Sequence, residues 1–366
     1  MKRKSPPFRA DMVGSLLRPE ALHKARDGHE AGKVSDGELR KVEDTEIRKI
    51  IAKQEEIGLK AVTDGEFRRS WWHFDFLREL GGIEMVYGKE SIQFHGVKTK
   101  AQSLEVKGKV HYKPHPQVNH FRFLKDNTKA VAKMTIPSPS VLHFRMGYNA
   151  IKPVYPDLDE FFADVADAYK AAIKDFYDAG CRYLQLDDTV WSYLCDPEQL
   201  EGARSRGDDP KKLPQIYADT FNRAIADRPD DMTITMHVCR GNFRSTWIAS
   251  GGYEPIAEVM LDQLHIDGFF LEYDNERSGG FEPLRFLPKG DKQVVLGLIT
   301  SKSGALEDRG TVKKRIDEAT KYAPLEQLCL SPQCGFASTE EGNVLTEEEQ
   351  WNKLRFIVSI ADEVWG

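Results

Sequence analysis

The sequence predicts an α/β protein, a (β/α)8 or TIM barrel, on two observations. Short apolar segments recur eight times, most end in a polar or acidic residue, and helical patterns lie between several of them. Near-continuous apolar segments are typical of parallel strands covered by helices, and repeated strand-helix alternation predicts a barrel. The 366 residues suit one catalytic domain over residues 1–366, because this fold tolerates insertions. A doubly wound open sheet is the main alternative, but no G-x-G-x-x-G motif opens a helix after the first strand.

The predicted strands share a short apolar run that stops abruptly. They end near Val13-Gly14-Ser15, Val62-Thr63-Asp64, Met134-Thr135-Ile136, Leu184-Gln185-Leu186-Asp187, Thr235-Met236-His237, Phe270-Leu271-Glu272, Leu296-Gly297-Leu298 and Cys329-Leu330-Ser331. Helices are predicted between them by capping residues and helical periodicity. We expect them after the Ser35 capping box up to Gly58, and over residues 157–179, 210–227, 311–322 and 346–364.

One stretch after the second predicted strand interrupts the alternation of strands and helices. Residues 81–130 contain segments with alternating apolar residues, including Ile83-Glu84-Met85-Val86-Tyr87. Alternation with period two is typical of half-buried antiparallel strands. We therefore expect a β-hairpin excursion over residues 81–130, inserted within the barrel.

Composition and charge exclude several classes of function. A net charge of −6 gives no electrostatic reason to expect nucleic acid or an anionic membrane as partner. The basic start of the chain lacks the apolar segment of a signal peptide, and we find no apolar run long enough to span a membrane. Five sparse cysteines do not resemble a disulfide framework. We expect a cytoplasmic protein with reduced thiols, and the sequence leaves a homo-oligomer open.

The most specific chemical signal lies at the predicted strand ends. Residues i and i+2 of a strand face the same side, so His237 and Cys239 point into one space. In a barrel, Glu272 and Cys334 reach the same rim. Imidazole, two thiolates and a carboxylate are typical zinc ligands, and a labile carboxylate leaves room for a substrate thiol. The sequence therefore predicts zinc bound by His237, Cys239, Glu272 and Cys334.

These motifs identify the chain as resembling a known family. It is similar to the catalytic half of cobalamin-independent methionine synthase, especially to stand-alone single-barrel members. The resemblance covers nearly the whole chain. It rests on Val13-Gly14-Ser15, Asp64-Gly65-Glu66, Gln185-Leu186-Asp187-Asp188, His237-Val238-Cys239, Glu272 and Pro332-Gln333-Cys334-Gly335.

The resemblance implies an activity and roles for individual residues. It implies zinc-dependent methyl transfer to a thiol, with homocysteine giving methionine. It implies that Gly14 and Ser15 hold the carboxylate of the amino acid, while Glu66 and Asp187 hold its ammonium group. We predict Asp187 and Lys302 as catalytic residues, since Lys302 stands where the family offers a histidine to protonate the leaving folate. A lysine is a different acid, so the methyl donor, folate, corrinoid or other, stays open.

Two arginines near these motifs suggest that the substrate carries an anionic group, and other functions remain possible for the chain. Arg68 and Arg240 suit binding of a carboxylate, phosphate or sulfonate. A zinc-dependent epoxyalkane:coenzyme M transferase would use them for a sulfonate, but Glu66 and Asp187 favour an amino acid. A metal-free, uroporphyrinogen decarboxylase-like lyase has no use for the predicted zinc ligands. A non-enzymatic thiol- or metal-binding module is the remaining alternative. Asp64 and Asp188 also follow predicted strands. For these two residues, simple capping of the following helix is the alternative to a role at the functional site.

Overall fold

A computed structural model describes residues 3–94 and 97–366, and their side chains except those of residues 89–101. The strands in chain order are β1 (Ala61–Val62), β2 (Gly81–Phe94), β3 (Val97–His111), β4 (Val131–Pro137), β5 (Tyr183–Asp188), β6 (Thr233–Val238), β7 (Gly268–Glu272), β8 (Gln293–Ile299) and β9 (Leu328–Pro332). Within these residues, seven strands form one parallel sheet in the order β1-β4-β5-β6-β7-β8-β9. This alternating parallel architecture confirms the predicted α/β class.

Helices connect the strands on the outside of this sheet. They are α1 (Glu20–Glu30), α2 (Asp36–Ile57), α3 (Phe74–Leu77), α4 (Pro116–Asn127), α5 (Pro139–Met146), α6 (Tyr148–Ile151), α7 (Leu158–Asp178), α8 (Val190–Tyr193), α9 (Pro197–Ser205), α10 (Leu213–Ile225), α11 (Arg309–Ala319) and α12 (Glu347–Trp365). The β6–β7 connection contains a π-helical turn at Glu258–Gln263. Across the described residues, none of the helices combines the length and apolarity needed to cross a membrane.

The capping residues predicted from the sequence form the expected hydrogen bonds at the ends of helix α2. The Ser35 hydroxyl accepts from the Glu38 backbone N–H, the Glu38 carboxylate accepts in return from the Ser35 N–H, and Gly58 ends the helix with φ 98°. Such a left-handed residue is best supplied by glycine. Helix α7 has a buried apolar face that includes Phe161, Val165 and Phe176. Local capping and periodicity therefore fix these boundaries to within a few residues.

The first predicted strand is not a regular strand, which corrects the expectation for Val13-Gly14-Ser15. Only Ala10 forms a ladder bridge, with Leu330 of β9. The Asp11 carboxylate accepts from the backbone N–H groups of Phe8 and Met12, at 3.1 and 2.8 Å. These amides are therefore satisfied by a side chain and not by a neighbouring strand.

This N-terminal segment, residues 9–16, nevertheless touches both edges of the sheet. On one side the Asp11 N–H donates to Leu330 O of β9 at 3.0 Å. On the other side the Leu16 N–H donates to Gly65 O, just after β1, at 3.1 Å. One short segment can reach both edge strands only if the sheet is strongly curled. The segment thus lies where the first strand of a closed barrel would run.

A buried ion pair fastens the segment to the sheet interior. The Lys133 ammonium lies 3.2 Å from the Asp11 carboxylate, and both side chains are completely buried. The same carboxylate accepts from the Tyr183 hydroxyl at 2.9 Å. The ammonium also donates to the Met12 carbonyl and lies over the ring of Phe270, 4.1 Å from its centre. Burial lowers the pKa of Lys133, although Asp11 opposes that shift.

Strands β2 and β3 form a separate antiparallel ribbon with irregular register. The ribbon packs on helix α7, where Lys109 pairs with Glu160 at 2.7 Å, and on the α6–α7 connection, where the Val110 N–H donates to the Tyr155 hydroxyl. Within the range expected for a hairpin excursion, residues 81–130, the strands end at His111 and helix α4 follows. Residues 95 and 96 lie outside the described residues. That the range is an insertion within a single domain stays a prediction.

Replacing Asp11 by alanine should destabilise the protein by about 3–5 kcal/mol, because it leaves the Lys133 charge buried without its partner. Urea denaturation, followed by circular dichroism, measures this loss. The double variant Asp11→Ala with Lys133→Met removes the orphaned charge and should recover part of the stability. An Asp11→Ala protein as stable as the parent would contradict the role of this pair.

Candidate metal and substrate site

The site residues lie at the carboxyl ends of neighbouring strands. The register pairs Asp187 of β5 with His237 of β6, so their side chains stand side by side. Glu272 is the last residue of β7. The Cys239 N–H continues the ladder by donating to Asp188 O at 2.7 Å. In parallel α/β proteins, side chains at these ends converge on one rim, and here they do.

Four potential ligands form a compact buried cluster. One ligand atom from each of His237, Cys239, Glu272 and Cys334 lies within 4.8 Å of the other three, and all four side chains are buried. The sulfur atoms of Cys239 and Cys334 are 3.4 Å apart. Two thiols, an imidazole and a carboxylate in this arrangement are a donor set suited to a tetrahedral thiophilic ion such as zinc.

The hydrogen bonds around Glu272 test whether a cation fits. Glu272 Oε1 accepts from the Arg240 backbone N–H at 3.1 Å, which fixes the carboxylate plane. Glu272 Oε2 is buried and has no hydrogen-bond partner. A buried carboxylate oxygen without a donor is costly unless a cation pairs with it. The residues present therefore fit a metal ion at the centre of this cluster.

The imidazole of His237 is held from two sides. Its Nε2 lies 3.2 Å from the Gln333 carbonyl oxygen, and its Nδ1 lies 3.6 Å from Asp187 Oδ1. Burial by itself lowers the pKa of His237, but the hydrogen bond to Asp187 and the nearby Cys334 and Glu272 raise it to about 9. A partner on the second ring nitrogen is what orients a metal-binding histidine.

The two thiols differ in acidity because they share one hydrogen bond. The hydrogen bond between the two sulfur atoms lowers the pKa of Cys334 to about 7, although burial opposes that shift. The same hydrogen bond, with burial, raises the pKa of Cys239. A thiolate is the form that binds metals. The cluster therefore favours the thiolate form of Cys334, whose pKa the nearby His237 also lowers.

A narrow cavity of about 30 Å³ opens beside this cluster. Three expected substrate ligands line it, namely Ser15, Glu66 and Asp187. Glu66 follows Gly65 and has a left-handed backbone, φ 59°, a conformation that costs about 1–3 kcal/mol and clusters at functional sites. Burial raises the pKa of Glu66, an effect that its ion pair with Arg69 opposes.

The remaining residues expected at the site lie around it or away from it. Gly14 lies against Glu66, since a methyl group on Gly14 would come 2.7 Å from Glu66 Oε1. Lys302 donates to Asn242 Oδ1 at 3.2 Å, and Asn242 lines the cavity. Two arginines point elsewhere: Arg68 pairs with Glu43 and Asp44, and Arg240 donates to Gly251 O above the Tyr253 ring.

Two carboxylates that follow strands act in local structure. Asp64 Oδ1 accepts from the Glu66 N–H at 2.8 Å. Asp188 accepts from the N–H groups of Val190 and Trp191 at the start of α8, and from the hydroxyls of Ser138 and Ser140. Asp188 therefore accepts from the first turn of α8, whose N-cap residue is Thr189, and it also lines the cavity.

The structure also places at the cavity residues that strand-end reasoning did not single out. Arg145 and Tyr193 line it from helices α5 and α8, and Trp71, Trp72 and Ser338 complete its wall. Arg145 and Tyr193 lie one or two helical turns beyond their strands, so the strand-end rule does not find them.

Comparisons with known proteins identify the family of this chain. A family model described as the cobalamin-independent synthase catalytic domain matches residues 8–363. The chain is 58% identical over 365 residues to the uncharacterised protein YxjH of Bacillus subtilis, covering 100% of this chain and 96% of that one. It is 23% identical over 356 residues to the methionine synthase of Pyrococcus horikoshii, covering 96% and 91% of the two chains.

Solved structures give the same relationship. A candidate vitamin-B12 independent methionine synthase from Listeria monocytogenes is 47% identical, with a TM-score of 0.81 and full coverage of both chains. A B12-independent methionine synthase from a Shewanella species, solved with selenomethionine, has a TM-score of 0.74 at 19% identity, with 97% of each chain covered, and bears on the fold alone. The family match over nearly the whole chain shows that this protein belongs to the cobalamin-independent methionine synthase family, through its catalytic domain.

Proposed function

We propose that this chain is a zinc-dependent S-methyltransferase that methylates homocysteine to methionine. The observation that carries the proposal is the buried cluster of His237, Cys239, Glu272 and Cys334 beside the cavity that Glu66 and Asp187 line. The proposal takes the curled sheet as a (β/α)8 barrel in which residues 9–16 replace a regular first strand. Membership of a methyltransferase family supports the reaction class.

Zinc would be held by the four clustered side chains, and it would lower the pKa of a substrate thiol and hold the resulting thiolate. Glu272 would supply the only oxygen donor of the set, and an oxygen donor would bind zinc less firmly than the two thiolates. Asp187 keeps the His237 ring in place at 3.6 Å and faces the cavity with its remaining surface. Tyr193, Trp71 and Trp72 limit water around the reacting atoms.

The amino-acid part of homocysteine fits the polar groups of the cavity. Its ammonium group needs carboxylates, which Glu66 and Asp187 supply. Its carboxylate needs donors, which we assign to the Ser15 region at the end of the N-terminal segment. The selenomethionine bound in the Shewanella structure is a close analogue of the proposed product.

The transfer forms a carbon–sulfur bond and breaks the bond between the methyl carbon and the donor atom. The electron pair of the broken bond stays on the donor atom, which needs a proton if it is a poor leaving group. We assign that role to Lys302, whose ammonium is held by Asn242 at the cavity wall.

Coenzyme M alkylation is the second candidate function, and one observation favours it. Arg145 lines the cavity and could pair with a sulfonate. The carboxylates of Glu66 and Asp187 would repel that sulfonate, so homocysteine remains the first choice. A screen that pairs homocysteine and coenzyme M with several methyl and epoxide donors separates the two functions.

Protein purified without chelators should contain about one zinc ion per chain, as measured by elemental analysis. Removal of zinc with a chelator should abolish thiol methylation, and added zinc should restore it. A fully active preparation that contains no metal would refute the central claim.

The Cys334→Ala variant should lose most of its zinc, because one of four ligands disappears. The matched control is Cys181→Ala, since Cys181 is buried in the core and outside the cluster. Zinc content of both variants is measured after the same dialysis. Equal zinc retention by the two proteins would contradict the ligand assignment.

The Glu66→Gln variant should raise the KM for homocysteine about ten-fold or more, because a charge-assisted hydrogen bond to the ammonium group is lost. Its zinc content should stay unchanged, which separates this effect from metal loss. The exposed Glu341→Gln is the control. If Glu66→Gln leaves the KM for homocysteine unaltered, Glu66 does not hold the ammonium group and this assignment is wrong.

A further inference from the structure

The buried amide of Gln185 connects two parts of the site. Gln185 and Asp187 are alternate residues of β5, so their side chains face the same side of the sheet. The Gln185 side chain is completely buried. Its Nε2 donates to the Val13 carbonyl at 2.8 Å and to Asp187 Oδ1 at 2.7 Å. One amide thus joins the N-terminal segment, residues 9–16, to a carboxylate that lines the cavity.

The orientation of the Gln185 amide follows from its two acceptors. The amide nitrogen carries two hydrogens, and each of them meets an acceptor oxygen. With nitrogen and oxygen exchanged, Gln185 Oε1 would face a carbonyl and a carboxylate, and both contacts would be repulsive. In the part of the chain that the structure describes, Oε1 is buried without a hydrogen-bond partner. Native structures contain few such groups, and departures of this kind are expected at functional sites.

The bond to Gln185 decides which oxygen of Asp187 stays available to a substrate. Oδ1 accepts from Gln185, and the same oxygen lies 3.6 Å from His237 Nδ1. The described hydrogen bonds to the Asp187 side chain thus all involve Oδ1, while Asp187 lines the cavity. A carboxylate with one oxygen held by a charge-assisted hydrogen bond keeps its other oxygen in one direction. Oδ2 is therefore the atom left for a substrate cation.

Glu66, the other carboxylate assigned to the ammonium group, is held in a comparable way. Its Oε2 pairs with Arg69, and its Oε1 lies against Gly14. Burial is the main cause that raises the pKa of Glu66, and the negative charge of Asp187 adds to that shift. The two carboxylates therefore repel each other, and a cation bound by both relieves the repulsion. Each needs a donor on its second oxygen to stay in place while the cavity is free of substrate.

We infer that Gln185 is a positioning residue for the amino group of the substrate thiol. It acts through Asp187, because its amide fixes Oδ1 and thereby directs Oδ2 toward the ammonium group. The inference rests on the proposed function, in which Glu66 and Asp187 hold that group. The preference for an α-amino-acid thiol over a thiol without an amino group thus depends on a residue that does not line the cavity.

The test measures the binding of two thiols that differ only in the amino group. Zinc-loaded protein is titrated calorimetrically with homocysteine and with 4-mercaptobutanoate, which has the same chain, thiol and carboxylate. Neither titration needs a methyl donor. The ratio of the two dissociation constants is the amino-group preference, and the parent protein should favour homocysteine about ten-fold or more.

The Gln185→Met variant removes both donated hydrogen bonds at a similar side-chain volume. It should reduce the amino-group preference about five-fold or more, with a smaller effect on 4-mercaptobutanoate than on homocysteine. Gln185→Asn keeps the amide on a side chain too short to reach both acceptors, and it should reduce the preference in the same direction. This second variant is used if Gln185→Met does not fold.

The matched control is Gln327→Met. Gln327 is also a buried glutamine whose amide donates to two backbone carbonyls, those of Pro288 and Lys292, and it does not line the cavity. Its replacement should lower stability for the same reason as at Gln185, since buried acceptors lose their donor. The amino-group preference of Gln327→Met should equal that of the parent protein.

A double-mutant cycle shows whether Gln185 acts through Asp187. Asp187→Asn by itself should lower the amino-group preference, because a neutral amide replaces the charge that faces the ammonium group. In that background, Gln185→Met should lower the preference no further, since the two residues act as one unit. Zinc content is measured for every variant, so that only zinc-loaded proteins are compared. Additive effects of the two changes would contradict the inference.

Each outcome decides the inference. A lower preference in the Gln185 variants, but not in Gln327→Met, supports it. An unchanged preference in the Gln185 variants, or the failure of both to fold, would overturn it and leave the proposed function intact. A parent protein that binds the two thiols equally would also overturn it, because Asp187 would then hold no ammonium group. If the zinc-loaded parent binds neither thiol, the proposed function itself is wrong, and the inference falls with it.

Discussion

The ion pair between Asp11 and Lys133 is the interaction on which the geometry of the site depends. A lysine ammonium in the interior of a sheet must have an anion and acceptors, and Asp11 and the Met12 carbonyl supply them. The ion pair thereby holds residues 9–16 between the two edge strands, although these residues form only one bridge to a strand. Ser15 is thereby brought to the rim, where its hydroxyl accepts from the Ala337 N–H beside Cys334.

A second cavity, of about 260 Å³, shares Arg145 and Tyr193 with the cavity beside the cluster, and the side chains that line the two differ. Carboxylates, thiols and an imidazole surround the clustered ligand atoms, whereas guanidinium groups and apolar side chains surround the neighbouring cavity. The carboxylates beside the clustered ligand atoms suit a cation, whereas no aspartate or glutamate among the described side chains lines the second cavity.

The sequence predicts the convergence of the four clustered side chains, but not the residues that reach the cavity from helices, for physical reasons. His237 and Cys239 face one side because strand periodicity is a local property, and Glu272 follows directly from a strand end. Arg240 is adjacent to Cys239 in sequence, yet its side chain turns away to Gly251 and Tyr253. Arg145 reaches the site from a helix, and no short-range pattern encodes that approach. The irregular first strand was missed because Asp11 satisfies backbone amides that a ladder would otherwise use.

The β2–β3 ribbon has a consequence for how relatives of this protein can diverge. It forms part of the wall of the second cavity, yet it belongs to a sheet of its own and contributes no strand to the parallel sheet. Changes of length or sequence in the ribbon can reshape that wall without moving a strand that carries a thiol or imidazole. The ribbon is therefore the part of this fold in which the shape of that cavity can change while the clustered side chains keep their places.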